Sequence, residues 1–321
     1  MNREMSIEQQ ITIRKMTPTD IPNVQMLIKQ AFEDEGDDYL SDYPILERTR
    51  VVVAEYNNDL IGTAVLYHNS FHPYEVGIFV VVAEPHRRQG IGKKLHDAVL
   101  QAYPLEKHHL GIQGDYVQED SQEKKGAGEF LSALGYQLVL DCHCVEMNIE
   151  NFDFTPYLAI PSQFSSLRIA SLEALFLEST KRQEVFDFLV LRYTEEHFWS
   201  PPQPKDHPMW KKIISRGVLP ELSFALLEGE NVVGVVTAVI FDNDTLDMYW
   251  GYISRQYSTD AAVALLKCLL AHQFKAAHAH NLYKADLEID TTDKVISALL
   301  NWLPICNDKV WHMLQKPHSD R

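Results

Sequence analysis

Polar and apolar positions along this chain fall into two series with the same order. Residues 11–16, ITIRKM, alternate with the period of a strand, and Thr17-Pro18-Thr19-Asp20 then offers a helix start that predicts a helix to about Phe32. VVVAEY (51–56) and LIGTAVLY (60–67), separated by Asn57-Asn58-Asp59, predict a β-hairpin. The next run, EVGIFVVVA (75–83), is almost wholly apolar, the pattern of a strand covered on both faces. Ile91, Leu95, Ala98, Val99 and Ala102 mark one stripe of a helix. A strand near 109–113, a helix near 122–134, a break at Gly135-Tyr136 and a strand over 137–149 complete the order β-α-β-β-β-α-β-α-β.

Residues 151–166, with Pro156 and Pro161, follow neither period and predict a linker. From Leu167 the order starts again, with LRIASL as a strand, a helix around 183–196, and SFALLEGENVVGVVTAVI as a hairpin turning at Glu228-Gly229-Glu230-Asn231. LDMYWGYI (246–253) corresponds to the earlier apolar strand, 261–277 to the helix after it, YKADLEID (283–290) to the next strand, 293–302 to the next helix and DKVWHMLQK to a last strand. Gly62 and Gly234 fall at matching places in the two hairpins. The expectation is an α/β (α+β) chain built from a duplicated fold, with domains at 1–150 and 167–321.

Composition agrees with two domains and narrows the partners. The 321 residues suit two cores, and 45% hydrophobic with 23% charged residues is the makeup of a globular protein. A formal net charge of −16 argues against nucleic acid, whose binding relies on clustered Lys and Arg, and accommodates a cationic partner more easily. MNREMSIEQQ has no apolar run that would make a signal peptide or membrane span, and the four cysteines form no C-x-x-C pair, so the expected setting is the cytoplasm with no membrane partner.

The sharpest feature is EPHRRQGIGKKLHDAVL (84–100), where the apolar strand gives way to a helix. Backbone N–H groups at a helix start attract anions, and glycines let a phosphate come close. A Walker A loop would need glycine at Arg87 and Ser or Thr at Lys94, and a dinucleotide-binding fingerprint would need a third glycine at Leu95. The pattern that fits is [RQ]-x-x-G-x-[GA], as Arg87-Arg88-Gln89-Gly90-Ile91-Gly92. Set between an apolar strand and an amphipathic helix, with Leu134-Gly135-Tyr136 further on, it resembles the GNAT superfamily of acyl-CoA N-acyltransferases over about residues 11–150.

The resemblance implies two GNAT-like domains, each a mixed, mostly antiparallel sheet flanked by helices, with central strands splayed into a V. It implies that backbone amides from Arg88 through Gln89, Gly90, Ile91 and Gly92 to Lys93 hold the pyrophosphate of acetyl-CoA, with Arg87 and Arg88 adding charge. Strand residues Val80, Val81 and Val82, within 79–83, would pair with the pantetheine arm. The second half departs from the pattern: aligning Ile253 with Val82 puts Ser258-Thr259-Asp260-Ala261-Ala262-Val263 at the motif, without either glycine and with a carboxylate where phosphate would sit. Only the N-terminal domain is therefore expected to bind acyl-CoA.

Acetyl transfer to an amine needs a base for the amine proton and is helped by an acid for the departing thiolate. The tyrosine that many family members use as the acid is replaced by Leu131, and an asparagine earlier on that helix by Lys124. Glutamate eleven residues before the motif, another family solution, falls on Val76; Glu75 is one residue off and qualifies only if a bulge intervenes. His108, His109, Asp115 and Tyr116 at the ends of the next strand are further candidates, with Tyr116 the preferred acid. Cys142-His143-Cys144 places its thiols on one strand face and the histidine on the other, so it predicts core thiols and no metal site.

The acidic stretch FEDEGDDYLSD (32–42) reads as a solvated loop or as a lure for a cationic acceptor, and the aromatic stretch 193–199 as pocket or core. The leading expectation is an acetyl-CoA-dependent N-acetyltransferase acting on a small-molecule or protein amine, as monomer or homodimer. The rival is an acyl-CoA-binding protein with little catalysis.

Overall fold

The computed structural model describes residues 11–32, 50–117, 126–240 and 244–318. The chain divides into two compact units: 1–115, 125–137 and 314–321 form unit 1, and 116–124 with 138–313 form unit 2.

Unit 1 is built from β1 (Thr12–Lys15), α1 (Ile21–Phe32), β2 (Arg50–Tyr56), β3 (Asp59–His68), β4 (Glu75–Val82), α2 (Ile91–Ala102), β5 (Gly111–Val117, whose residues 116 and 117 group with unit 2) and α3 (Gly126–Ala133). Strands β1 to β5 lie in sequence order, as expected where short connections join antiparallel neighbours. The β2–β3 turn works because Asn57 and Asn58 both take positive φ, 52° and 70°, which asparagine tolerates better than most residues. Arg14 of β1 donates to Asp20 at 2.6 and 2.9 Å and to Glu55 of β2 at 2.9 and 3.1 Å. Asp20 also accepts from the Thr17 N–H at 2.7 Å, so one carboxylate ties the start of α1 to the sheet. The Arg14 guanidinium holds that carboxyl well below the usual range.

Val24 and Ile28 of α1 cover Val51, Val53 and Val65 on one sheet face, with Phe79 packed against Phe32 at its edge. On the other face Leu95 of α2 lies over Gly62. The β4–β5 pair is parallel and holds for three rungs, Glu75–Gly111, Val76–Ile112 and Gly77–Gln113; beyond them the strands part.

Unit 2 contains β6 (Gln137–Asn148), β7 (Leu167–Ser171), α4 (Leu172–Leu175), α5 (Ser179–Glu196), α6 (Met209–Ile214), β8 (Phe224–Glu228), β9 (Asn231–Ile240), β10 (Thr245–Ile253), α7 (Thr259–Ala279), β11 (Lys284–Asp290), α8 (Lys294–Ser297) and β12 (Ile305–Pro317), the last strand handing residues 314–317 to unit 1. Its strand order is β12-β6-β11-β10-β9-β8-β7. Here too a parallel pair, β10–β11, ends after three rungs, from Thr245–Lys284 to Asp247–Asp286.

The duplication extends to single positions. Gly62 pairs with Val82, and Gly234 pairs with Ile253; the preceding strand slips its register just beyond Ala54 in one unit and Leu226 in the other. Strand β10 carries an irregularity between Asp247 and Trp250 that β4 lacks, so the place of Glu75 in unit 2 is held by Thr245.

Some elements differ from the sequence reading. Strand β6, expected to end the first domain, groups with unit 2, because its ladder with β11 runs from Asn148–Lys284 to Cys142–Asp290 and Val145, Met147 and Ile149 enter unit 2's core. In the expected linker, Phe152, Phe154, Ile160 and Phe164 pack on that same core. The strand expected at 109–113 begins at Gly111, since His109 is folded into a turn whose Glu106 N–H donates to its Nδ1 at 3.0 Å. The helix expected over 293–302 is helical only at Lys294–Ser297; i→i−3 bonds such as Trp302 N–H to Leu299 O tighten the rest, and Pro304 stops it.

The paired glycines make opposite demands. A Cβ at Gly62 would sit 2.9 Å from both Leu95 Cδ1 and the Val81 carbonyl oxygen, whereas one at Gly234 would meet chiefly Ile253 Cδ1 at 2.6 Å. We expect Gly62→Ala to cost about 2–3 kcal/mol by urea unfolding, with no recovery on trimming Leu95, because a carbonyl in a ladder cannot move aside. Gly234→Ala is expected to regain most of its loss when combined with Ile253→Val.

Candidate functional site

The ladder bonds fix which way the peptide groups of β4 point. Ala83 N–H donates to Ile61 O (2.9 Å) on the β3 side, and Tyr74 O accepts from Leu110 N–H (2.7 Å) on the β5 side. By alternation, Phe79 and Val81 turn their N–H and C=O groups to β3, while Val80 and Val82 turn theirs to the gap left where β5 departs. Of the three residues expected to pair with pantetheine, Val80 and Val82 therefore present main-chain groups. Val81 instead contributes its side chain to a cleft of about 340 Å³, lined with Leu27, Ala31, Glu84 and Arg87 among others. The gap from Val82 to Gly77 is about 17 Å at ~3.3 Å per residue.

At the open end of the gap the chain turns through Glu84–His86 into α2. Arg88 (φ 60°) and Gly90 (φ 78°) are both left-handed, which for arginine is a conformation kept only where the surroundings enforce it. Gly90 caps α2 with no side chain, and Lys94 N–H to Gly90 O (3.2 Å) is the first helical bond, so the N–H groups of Ile91, Gly92 and Lys93 have no intrahelical acceptor. Side chains hold the loop in shape: Arg87 Nε donates to Val82 O at 2.9 Å, Gln89 Nε2 to Pro85 O at 3.3 Å, and Arg88 reaches Glu129 of α3 at 3.7 Å. Lys93 is paired with Asp97 at 2.7 Å, and Ile91 is buried in the core. The two glycines serve different ends. Gly90 supplies the left-handed turn, while a Cβ on Gly92 would press on the Phe130 ring at 3.1 Å.

The tip of the V is closed by apolar groups. Leu131 packs where a Cβ on Gly114 would lie, 3.0 Å away, so leucine occupies the place from which the family's tyrosine would act. Tyr67 lies flat on Gly77, whose Cβ would be 2.1 Å from its ring. Behind α2, buried His96 joins Asp97 (3.0 Å) to the Tyr136 hydroxyl (3.1 Å), linking the loop helix to the aromatic residue after Leu134-Gly135.

The β3–β4 ladder runs from Gly62–Val82 to His68–Val76 without a bulge, so Glu75 does not shift to the face of Val76. It keeps the face of Gly77, Phe79 and Val81, which is the face of the cleft and of α1. Glu75 is 3% exposed; neither carboxyl oxygen meets a partner in full hydrogen-bonding geometry among the described residues, and the Gln315 side chain is the polar group that approaches it. Burial pushes its pKa up to about 7, with Gln315 pulling in the other direction.

Tyr116 falls in unit 2, where its ring lies 4.8 Å from that of His312, which in turn meets Asp141 at 2.7 Å. Burial and then Asp141 raise the Tyr116 pKa. His109 is a packing residue, in ring contact with His68 and His108, and burial drives its pKa down to about 4. Tyr193, from the aromatic stretch, stacks on His197 and Trp250 inside unit 2. Beyond Phe32 the acidic stretch lies outside the described residues. Among the described residues no cluster of His, Cys, Asp and Glu could hold a metal ion, and no helix is long and apolar enough to cross a membrane.

In unit 2 the matching helix start is closed. Ser258 caps α7 by accepting from Ala261 N–H at 3.4 Å, and Asp260 stands in the first turn.

Comparison with known proteins agrees with this geometry. The model of the acetyltransferase (GNAT) family matches residues 19–121. A GCN5-related N-acetyltransferase from Sphaerobacter thermophilus superposes with a TM-score of 0.63 at 14% identity, covering 97% of each chain. A tandem GNAT protein from the clavulanic acid biosynthesis pathway does so with 0.55 at 13%, covering 97% of this chain and all (100%) of that one. A probable N-acyltransferase from Enterococcus faecalis V583 gives 0.52 at 15%, covering 96% and 72%. No curated protein matches the chain. Residues 19–121 thus belong to the acetyltransferase (GNAT) family, and the chain has the duplicated fold of tandem GNAT proteins.

Proposed function

We propose that the protein is an N-acetyltransferase that uses acetyl-CoA in unit 1 to acetylate a primary amine of a small molecule or protein. The observation that carries this reading is the combination of Val80 and Val82 main-chain groups turned to the gap, where the Val82 carbonyl accepts from Arg87, with the side-chain-free helix start at Gly90. When bound, acetyl-CoA supplies the thioester whose acetyl group is transferred. The amides of Ile91, Gly92 and Lys93 hold the pyrophosphate, and Val80 and Val82 align the arm along the gap. Without a bulge Glu75 does not take the family glutamate's place at Val76; it is proposed instead to take the amine proton, directly or through water, from the opposite face, that of the cleft and α1, where a carboxyl with its pKa near neutrality is poised for that exchange. Tyr116, the acid candidate of the sequence, groups with unit 2 beside His312, and burial with Asp141 makes its hydroxyl a weaker donor, so it is not assigned the proton of the departing sulfur. Leu131 supports a second reading, acyl-CoA binding with little turnover, because it replaces the family's acid.

Acetyl-CoA is expected to raise the melting temperature, and a thiol-release assay over a panel of amines to find turnover. Binding without turnover on any amine would support the second reading. Gly90→Val should lose ~1–2 kcal/mol of stability and most of the acetyl-CoA-induced melting shift. Gly229→Ala, at φ 58° with open space around it, should cost similar backbone strain and leave that shift intact. Equal shifts in both variants would remove the loop from the site.

Glu75→Gln should abolish the acetylation that rises through pH 7 as the carboxyl ionises. The stability effect has the opposite sign: a raised carboxyl pKa favours the folded state below neutrality and penalises it as pH climbs from the unfolded value of 4.5 through about 7. The glutamine variant should therefore be more stable than the parent at pH 8, by about 2 kcal/mol, and nearly equal at pH 5.

A further inference from the structure

The last residues of the chain return to unit 1 and end beside the buried carboxyl. His318 N–H donates to Leu110 O at 3.0 Å, and the carbonyl of Lys316 lies 2.6 Å from where a Cβ on Gly111 would be, so residues 315–318 run alongside the start of β5. The Lys316 side chain reaches over Gly135 and the Tyr136 ring, on the α2 and α3 face. Alternation then puts Gln315 on the other face, the one that carries Glu75. Between them stands Gly111, the rung partner of Glu75, with no side chain to block the way. A glycine here is required by the close approach of the Lys316 carbonyl, which brings the strand carrying Gln315 alongside the rung partner of Glu75.

We propose that Gln315 is a positioning residue for Glu75: its amide reaches over the bare Gly111 backbone and donates to the carboxylate each time the proton leaves. The inference rests on Glu75 being the base. Without such a donor, ionisation would leave a buried, unsolvated charge, since no other side chain among the described residues hydrogen-bonds either oxygen. The side chains on the same face around Glu75 are Tyr67 of β3, Phe79 of β4, Gln113 of β5 and Gln315 of β12. No charged group among the described residues contributes to the carboxyl's shift, and Gln315 is the side chain that opposes burial. Thr245 holds the place of Glu75 in unit 2, so the arrangement belongs to unit 1 alone.

The test uses the full chain and reads the carboxyl directly. Glutamate side-chain carboxyls labelled with carbon-13 are titrated by NMR, the Glu75 signal being the one lost in Glu75→Gln. In Gln315→Leu that signal should titrate about one pH unit higher, a tenfold rise in proton affinity. The acid limb of the kcat/KM profile for the best amine should move with it, while the acetyl-CoA-induced melting shift stays unchanged. Gln315→Asn keeps the amide but withdraws it by one methylene, and should move both by less; it also guards against a leucine variant that fails to fold. A Glu75 titration unmoved in both variants would overturn the role of Gln315. Full activity in Glu75→Gln, with the NMR shift still present in Gln315→Leu, would overturn the base reading and leave the Gln315 contact standing.

Discussion

Where the parallel ladder of β4 and β5 ends, after Gly77–Gln113, hydrogen-bonding groups are left facing open space, and unit 1 is organised around that loss. Backbone N–H and C=O groups inside a protein are nearly always paired, because an orphan forfeits the free energy of a hydrogen bond. In β4 the groups of Val80 and Val82 face the gap, where the Val82 carbonyl accepts from the Arg87 side chain. A strand edge that opens next to a helix start without a cap concentrates unpaired donors and acceptors along one line. The same parting decides what stands at the tip, where Leu131, Tyr67 and two glycines close the V with apolar surface.

Both units keep the parting, yet only unit 1 keeps the donors. The β10–β11 ladder also ends after three rungs, so the splayed strands are a property of the shared fold. The difference lies at the next turn: Gly90 leaves its helix N–H groups open, whereas Ser258 uses its own hydroxyl to close the equivalent end. A serine cap stabilises a helix by about 1 kcal/mol and takes up a donor that a phosphate would otherwise use. Unit 2 has gained a more regular helix where unit 1 holds two left-handed residues.

Much of this was legible in local sequence. Strand and helix periods, the Asn57-Asn58 turn, the glycine pair at 62 and 234 and the motif at 87–92 each depend on residues close together in the chain. The alignment of Ile253 with Val82 also appears in the ladders, since each faces the matched glycine. Less legible were the short helix α8, which Pro304 and i→i−3 bonding cut down, and the place of β6, whose partner β11 lies more than a hundred residues away.

The sequence by itself determined the resemblance of residues 19–121 to the acetyltransferase (GNAT) family, the glycine-rich turn at 87–92 and the absence of its glycines from the second half, because such a turn is a local object made of consecutive residues. Tertiary structure decided which of the valines turn their peptide groups to the gap, that Glu75 keeps the face of the cleft without a bulge, and that Gln315 approaches it from the far end of the chain. These depend on strand pairing and on the parity it imposes, and a hydrogen-bond ladder joins residues that no short window of sequence contains.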